Sequence, residues 1–196
     1  MYKGHYMATL RTFSDYWFSK FDNPARWFYE GFHYDAEIEQ FRDLFHAVVN
    51  HELQAATITE HLLVIVILDQ LPRHFYRGHS QAYELDARTL ELAKQLYAKG
   101  WHTQLGTQHF IFWTVVFEHA EDLAEHAFAR KLLLERIAQH EENSQDRLYL
   151  ENALYYLDKH SAVLQAFGRY PKRAEIRGSL TDAEKQYLEG RQGKPY

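Results

Sequence analysis

With 196 residues, 46% of them hydrophobic, the chain is long enough to bury a sizeable core and short enough that one domain, 1–196, is expected. Lys and Arg number 22 against 27 Asp and Glu, a net charge of −5, which lacks the broad positive footprint of a non-specific nucleic-acid binder. The absence of cysteine excludes disulfides, thiolate metal sites and cysteine catalysis, and it fits a reducing cytoplasm.

The opening "MYKGHYMATL" has no apolar segment of signal-peptide length, and Met7 offers a second start. The longest apolar run is too short to span a bilayer, so a cytoplasmic protein without a membrane or nucleic-acid partner is expected. Helical spacing dominates, beginning with a helix over Thr9–Phe21 that carries "YWF". The turn "DNPARWF" follows. Asp35 is placed to cap a helix to about His51, with Ile38, Phe41, Leu44, Phe45 and Val48 on one stripe.

Thr57 and Glu60 form a capping-box pair before seven unbroken apolar residues, Leu62–Leu68. Such a helix is apolar on nearly all sides and belongs in the centre of the core. Pro72 disfavours its continuation, or opens a new helical turn that ends at Gly78. An amphipathic helix over 81–99 turns Leu85, Leu92, Ala93 and Leu96 inward and stops at Gly100. A short apolar segment, 107–117, precedes a long helix from Glu118 to Gln139 and the loop "HEENSQD". Arg147–Phe167 forms the next helix, stopped by Gly168. Thr181 and Glu184 make a second capping box for a helix to about Leu188. The ends, 1–7 and 190–196, are expected to be flexible. The sum is an all-α domain of about eight helices.

Polar groups interrupt this apolar pattern at few places. Four-residue spacing on a continuous helix brings Asp69, Arg73 and Arg77 to one face, beside Gln70. Asp69 with one arginine makes a clamp between helices. A second arginine leaves a positive charge that calls for another acid or an anionic ligand. In "FEHAED", the acids Glu118, Glu121 and Asp122 suit the start of a helix. His119, Asp122 and His126 share a face that resembles half of a metal site, but no metal-binding signature accompanies them, so no metal site is assigned. His160 lies on the stripe of Leu157, Leu164 and Phe167, where a histidine is either a satisfied core residue or a proton carrier. The most basic stretch, "FGRYPKRAEIRG", holds Arg169, Lys172, Arg173 and Arg177. It either complements a helix C-terminus or shares an anion-binding wall with Arg73 and Arg77.

These segments resemble a bacterial family designated domain of unknown function nine-two-four. The resemblance rests on Trp17-Phe18 and Trp27-Phe28, and on "LDQLPRHFYRG", in which His74 replaces an Asn. Asp86, the "HAED" around His119, Glu121 and Asp122, the isolated His160, and "FGRYPKRAEIRGSLTDAEKQYL" complete it. Three further positions depart from the family pattern: Lys172 replaces a His, Ala174 an Asn and Ser179 an Arg. The resemblance implies a tetratricopeptide-like, right-handed array of antiparallel helix pairs and supplies no activity.

The first functional expectation is a binding module. Asp69, Gln70, Arg73, Arg77, Arg169 and Arg173 would grip a peptide, a protein or a small anionic ligand. The second is an enzyme, with His119 and His160 as acid–base groups, Asp69 and Glu121 as orienting acids and the arginines as an electrophilic clamp. Its substrate would be a small anion or a phosphorylated compound, and a metal-assisted version would use His119, Asp122 and His160. The third is a purely structural clamp. No cofactor is indicated.

Overall fold

The computed structural model describes residues 2–19 and 31–191, and these contain helices and turns without a strand. Trp27-Phe28 and the turn around them lie outside the described residues, as do 192–196. Helices of six residues or more are α1 (Tyr2–Ser19), α2 (Arg42–Val49), α3 (Ile58–Phe75), α4 (Asp86–Ala98), α5 (Thr107–Glu118), α6 (Leu123–Ile137), α7 (Gln145–Phe167), α8 (Pro171–Ile176) and α9 (Asp182–Glu189).

The apolar run of α3 is buried from Ile65 to Asp69, and α5 is buried without interruption from Phe110 to Glu118. These two helices form the centre. α3 packs against α2, α4 and α5, and α5 in turn packs against α6 and α7. Trp17 and Phe13 from α1, the Ile38–Val48 stripe, and Ala93 and Leu96 from α4 close the core. Each fully buried aliphatic or aromatic side chain contributes about 1.5–3 kcal/mol, so this layer carries most of the stability. A second, smaller core stands apart from it. Val163, Leu164 and Tyr170 pack there with Phe167 and Tyr187, under the α8–α9 pair.

Local chemistry sets most boundaries. Thr57 Oγ1 accepts from Glu60 N at 3.2 Å, and the Glu60 carboxylate accepts from Thr57 N at 3.1 Å. Thr181 and Glu184 form the same reciprocal pair. Gly168 ends α7 at φ +70°, the left-handed region where a side chain is strained.

The first helix begins at Tyr2 rather than Thr9, within the segment expected to be flexible, and four further expectations need correction. Asp35 caps no long helix. It opens a single helical turn, Asp35–Ile38, between two 3-10 turns, because its carboxylate is drawn to Arg77 and His74. The 81–99 helix begins only at Asp86, after a 3-10 turn over Ser80–Tyr83. The helix expected from Glu118 starts only at Leu123: Glu118 is the last residue of α5, and Asp122 caps α6 by accepting from Ala124 N at 2.8 Å. Finally, α3 runs through Pro72 to Phe75. Pro72 sits one turn from the helix end, where its missing N–H removes one hydrogen bond, and the Arg73 guanidinium donates to the Asp69 carbonyl on the same turn.

Candidate functional site

A cavity of about 230 Å³ lies where the end of α3, the Ser80–Tyr83 turn, the end of α5, α7 and the α8–α9 pair meet. The continuous α3 puts Asp69 and Arg73 one turn apart on the same face, as the spacing predicted. Asp69 is 1% exposed. Its Oδ1 lies 2.8 Å from His119 Nδ1 and 3.6 Å from the Arg73 guanidinium, and Gln70 donates to its Oδ2 at 2.6 Å. Burial alone would raise the Asp69 pKa. The neighbouring His119 and Arg73 reverse this and hold it well below the usual carboxylate range. An ionised carboxylate only accepts, so His119 carries its proton on Nδ1. That leaves Nε2 without a hydrogen-bond partner among the described residues.

Arg73 continues from Asp69 to Asp86, the first residue of α4, with Nη2–Oδ1 at 2.9 Å. Asp86 also meets Arg173 Nη2 at 3.0 Å, and that same nitrogen donates to the His119 carbonyl at 2.8 Å. The five residues form a closed circuit, His119–Asp69–Arg73–Asp86–Arg173, that returns to His119. Tyr83 lies against both guanidiniums, 4.7 Å from Arg173 and 5.6 Å from Arg73. Tyr170 takes another side of Arg173 at 4.9 Å. The His119 carbonyl belongs to the C-cap of α5, so Arg173 also answers the negative end of that helix.

A second imidazole–carboxylate pair borders the same cavity. His160 Nδ1 is 2.6 Å from Glu118 Oε1 and 3.0 Å from the Tyr156 carbonyl. Burial pushes the His160 pKa down, but the adjacent Glu118 carboxylate outweighs it and the net shift is upward. Tyr170 donates its hydroxyl to the Glu118 carbonyl, and burial pushes its pKa up. Glu121, named as an orienting acid, accepts the Tyr170 backbone N–H at 2.7 Å and touches neither imidazole.

The remaining expected residues divide. Arg77 lines the cavity but lies past the end of α3, where Asp35 accepts from its Nε at 2.9 Å and from its Nη2 at 2.8 Å. Burial opposes ionisation of Asp35, yet Arg77 and His74 bring its pKa down to about 2. Lys172 and Arg173 line the cavity, whereas Arg169 does not. Arg169 is committed to Glu184 at 2.7 and 2.8 Å and to the Ser179 carbonyl, which draws the Glu184 pKa down to about 2. The suggested metal ligands are engaged elsewhere: Asp122 caps α6, and His126 meets Ser161 Oγ at 2.9 Å and the Ala120 carbonyl at 3.0 Å. No group of three His, Asp or Glu side chains able to hold a metal occurs among the described residues.

Sequence reasoning assigned no role to Asp86, Tyr83 or Tyr170. Asp86 was visible only as an acid matching the family pattern, and Tyr83 had no signal beyond the chain's aromatic excess.

An all-helical chain that folds a ring of buried ion pairs around one wall of a small cavity defines the class. The chain belongs to the bacterial family of proteins of unknown function DUF924, whose sequence profile matches residues 13–192. It is similar to a solved structure of a protein of unknown function from Agrobacterium tumefaciens, with 27% identity and a TM-score of 0.75. That match covers 94% of this chain and 98% of the other. No curated protein matches it. Among the described residues no helix is long and apolar enough to cross a membrane.

Proposed function

We propose that the chain is a binding protein for a small anionic ligand held in the 230 Å³ cavity. One observation carries this reading. The cavity wall presents Arg73, Arg77, Lys172 and Arg173 with His119 and His160, and among the described residues no carboxylate lines it. The acids that answer these groups stand behind the wall, as Asp69, Asp86 and Glu118 do. Arg173, 9% exposed, commits only Nη2, so its Nε and Nη1 donors are uncommitted among the described residues. Guanidinium donors in a shielded site suit a carboxylate or phosphate oxygen. The volume favours a small molecule over a peptide or protein segment. A tetratricopeptide-like array working in the cytoplasm is part of this proposal, and the site is gathered from helices distant in sequence. Titration calorimetry with acetate, benzoate, inorganic phosphate and phenyl phosphate tests the reading. Binding of at least one anion, lost in Arg173→Gln, is expected; binding of none refutes it.

A second reading, an enzyme, is favoured by the His119–Asp69 pair. A buried carboxylate orients the imidazole and leaves Nε2 as a general base in the same cavity. His160 with Glu118 would be the acid partner. Product analysis of any bound anion after incubation separates the two. Conversion that disappears in His119→Gln while binding persists selects the enzyme.

A further inference from the structure

The charges around the cavity also limit which anion fits. The four fixed cations of the wall each have an acid of their own. Arg73 meets Asp69 and Asp86, Arg173 shares Asp86, Arg77 holds Asp35, and Lys172 pairs with Glu175 at 2.5 Å. Asp35, Asp69, Asp86 and Glu175 therefore match the four cations one for one. What the wall lacks is acceptors, not negative charge: Arg173 Nε and Nη1 have none among the described residues. One negative charge satisfies those donors. Even the first negative charge meets no spare cation and is held by these two donors; a second has neither a cation nor a free Arg173 donor to answer it, so its desolvation is unfavourable.

The rest of the lining is apolar or aromatic. Ala82, Val163, Pro171 and Leu188 join the rings of Tyr83 and Tyr187. At roughly 30 Å³ for each water-sized group, the cavity takes on the order of eight such groups, which suits a charged head with a compact body.

We propose that the ligand is a small monocarboxylate with a compact apolar body rather than a phosphate-type dianion. This rests on the anion-binding reading above and names its ligand class. Arg173 is the principal donor, and Tyr83 and Tyr187 provide ring contacts for the body.

The test uses three phenyl-bearing probes by calorimetry at pH 8: benzoate, phenyl phosphate, which is mainly dianionic there with a second pKa of about 6, and benzyl alcohol. Histidine imidazole NMR signals report whether binding occurs at the cavity. Benzoate is expected to bind at least tenfold more tightly than the other two and to shift the His119 and His160 signals. Arg173→Gln is expected to weaken benzoate at least tenfold. Should that variant fail to fold, Leu188→Trp fills the cavity from α9 and is expected to abolish benzoate binding with the fold retained. Phenyl phosphate binding as tightly as benzoate overturns the monocarboxylate assignment and leaves the anion site standing. Binding of neither anion overturns both, and benzyl alcohol matching benzoate removes the requirement for charge.

Discussion

Replacing Asp69 by Asn keeps the shape of the side chain and removes its charge. The carboxylate is 1% exposed and holds His119, Arg73 and Gln70 at once. Removing one member of a buried pair costs about 3–5 kcal/mol. Arg73 keeps Asp86, so the lower end, about 3 kcal/mol, is expected. For a chain of this size each kcal/mol moves Tm by roughly 2–4 °C, giving a fall of about 6–12 °C at pH 7. The pH dependence adds a second constraint. The folded pKa of Asp69 is depressed, so its contribution is complete above the unfolded value of about 3.9 and fades as pH falls through the folded one. Urea unfolding followed by circular dichroism is therefore expected to give a gap of about 3 kcal/mol between wild type and Asp69→Asn at pH 7. Below about pH 4 the gap narrows. A gap under about 1 kcal/mol at pH 7, or one that grows on acidification, refutes the assignment of Asp69 as the ionised centre of the ring.

Three further substitutions probe other parts of the site. Glu118→Gln removes the partner that raises the His160 pKa; the resulting loss of stability is complete below the unfolded value of about 6.5 and disappears as pH rises through the folded one. An NMR titration of the His160 ring, expected to move to lower pH in this variant, checks it. Asp86→Asn leaves Arg73 with Asp69 alone and Arg173 without an acid, so about 3–5 kcal/mol is lost in urea unfolding. Calorimetry on the same variant is expected to show tighter benzoate binding, since the anion then answers Arg173. Gly168→Ala meets no atom within 4 Å but forces a side chain into positive φ, so a loss of about 1–2 kcal/mol is expected, with benzoate affinity retained.

Local rules were readable wherever a single helix turn settles the matter. Both capping boxes, the Gly100 and Gly168 stops, the Ile38–Val48 stripe and the central position of Leu62–Leu68 follow from spacing alone. The position of the break between α5 and α6, expected at Glu118 and found at 119–122, did not, because "FEHAED" contains no glycine or proline. There the chain stops as Tyr170, Arg173 and Glu121 make contacts across about fifty residues. The site divides in the same way. Asp69 with Arg73 is an i, i+4 pair and was legible, whereas Asp86 with Arg173 joins residues 86 and 173 and left no local pattern. Arg169 and Arg173 looked equivalent in the basic stretch, but the intervening turn and α8 send one to Glu184 and the other to the cavity.

The division into two cores bears on how the molecule comes apart. Val163, Leu164, Tyr170, Phe167 and Tyr187 adhere to one another rather than to the large cluster, so α9 can detach as a small cooperative unit while α3 and α5 stay folded. Amide hydrogens near Tyr187 then exchange through openings far less costly than global unfolding, and a molecule seated against that helix slows them.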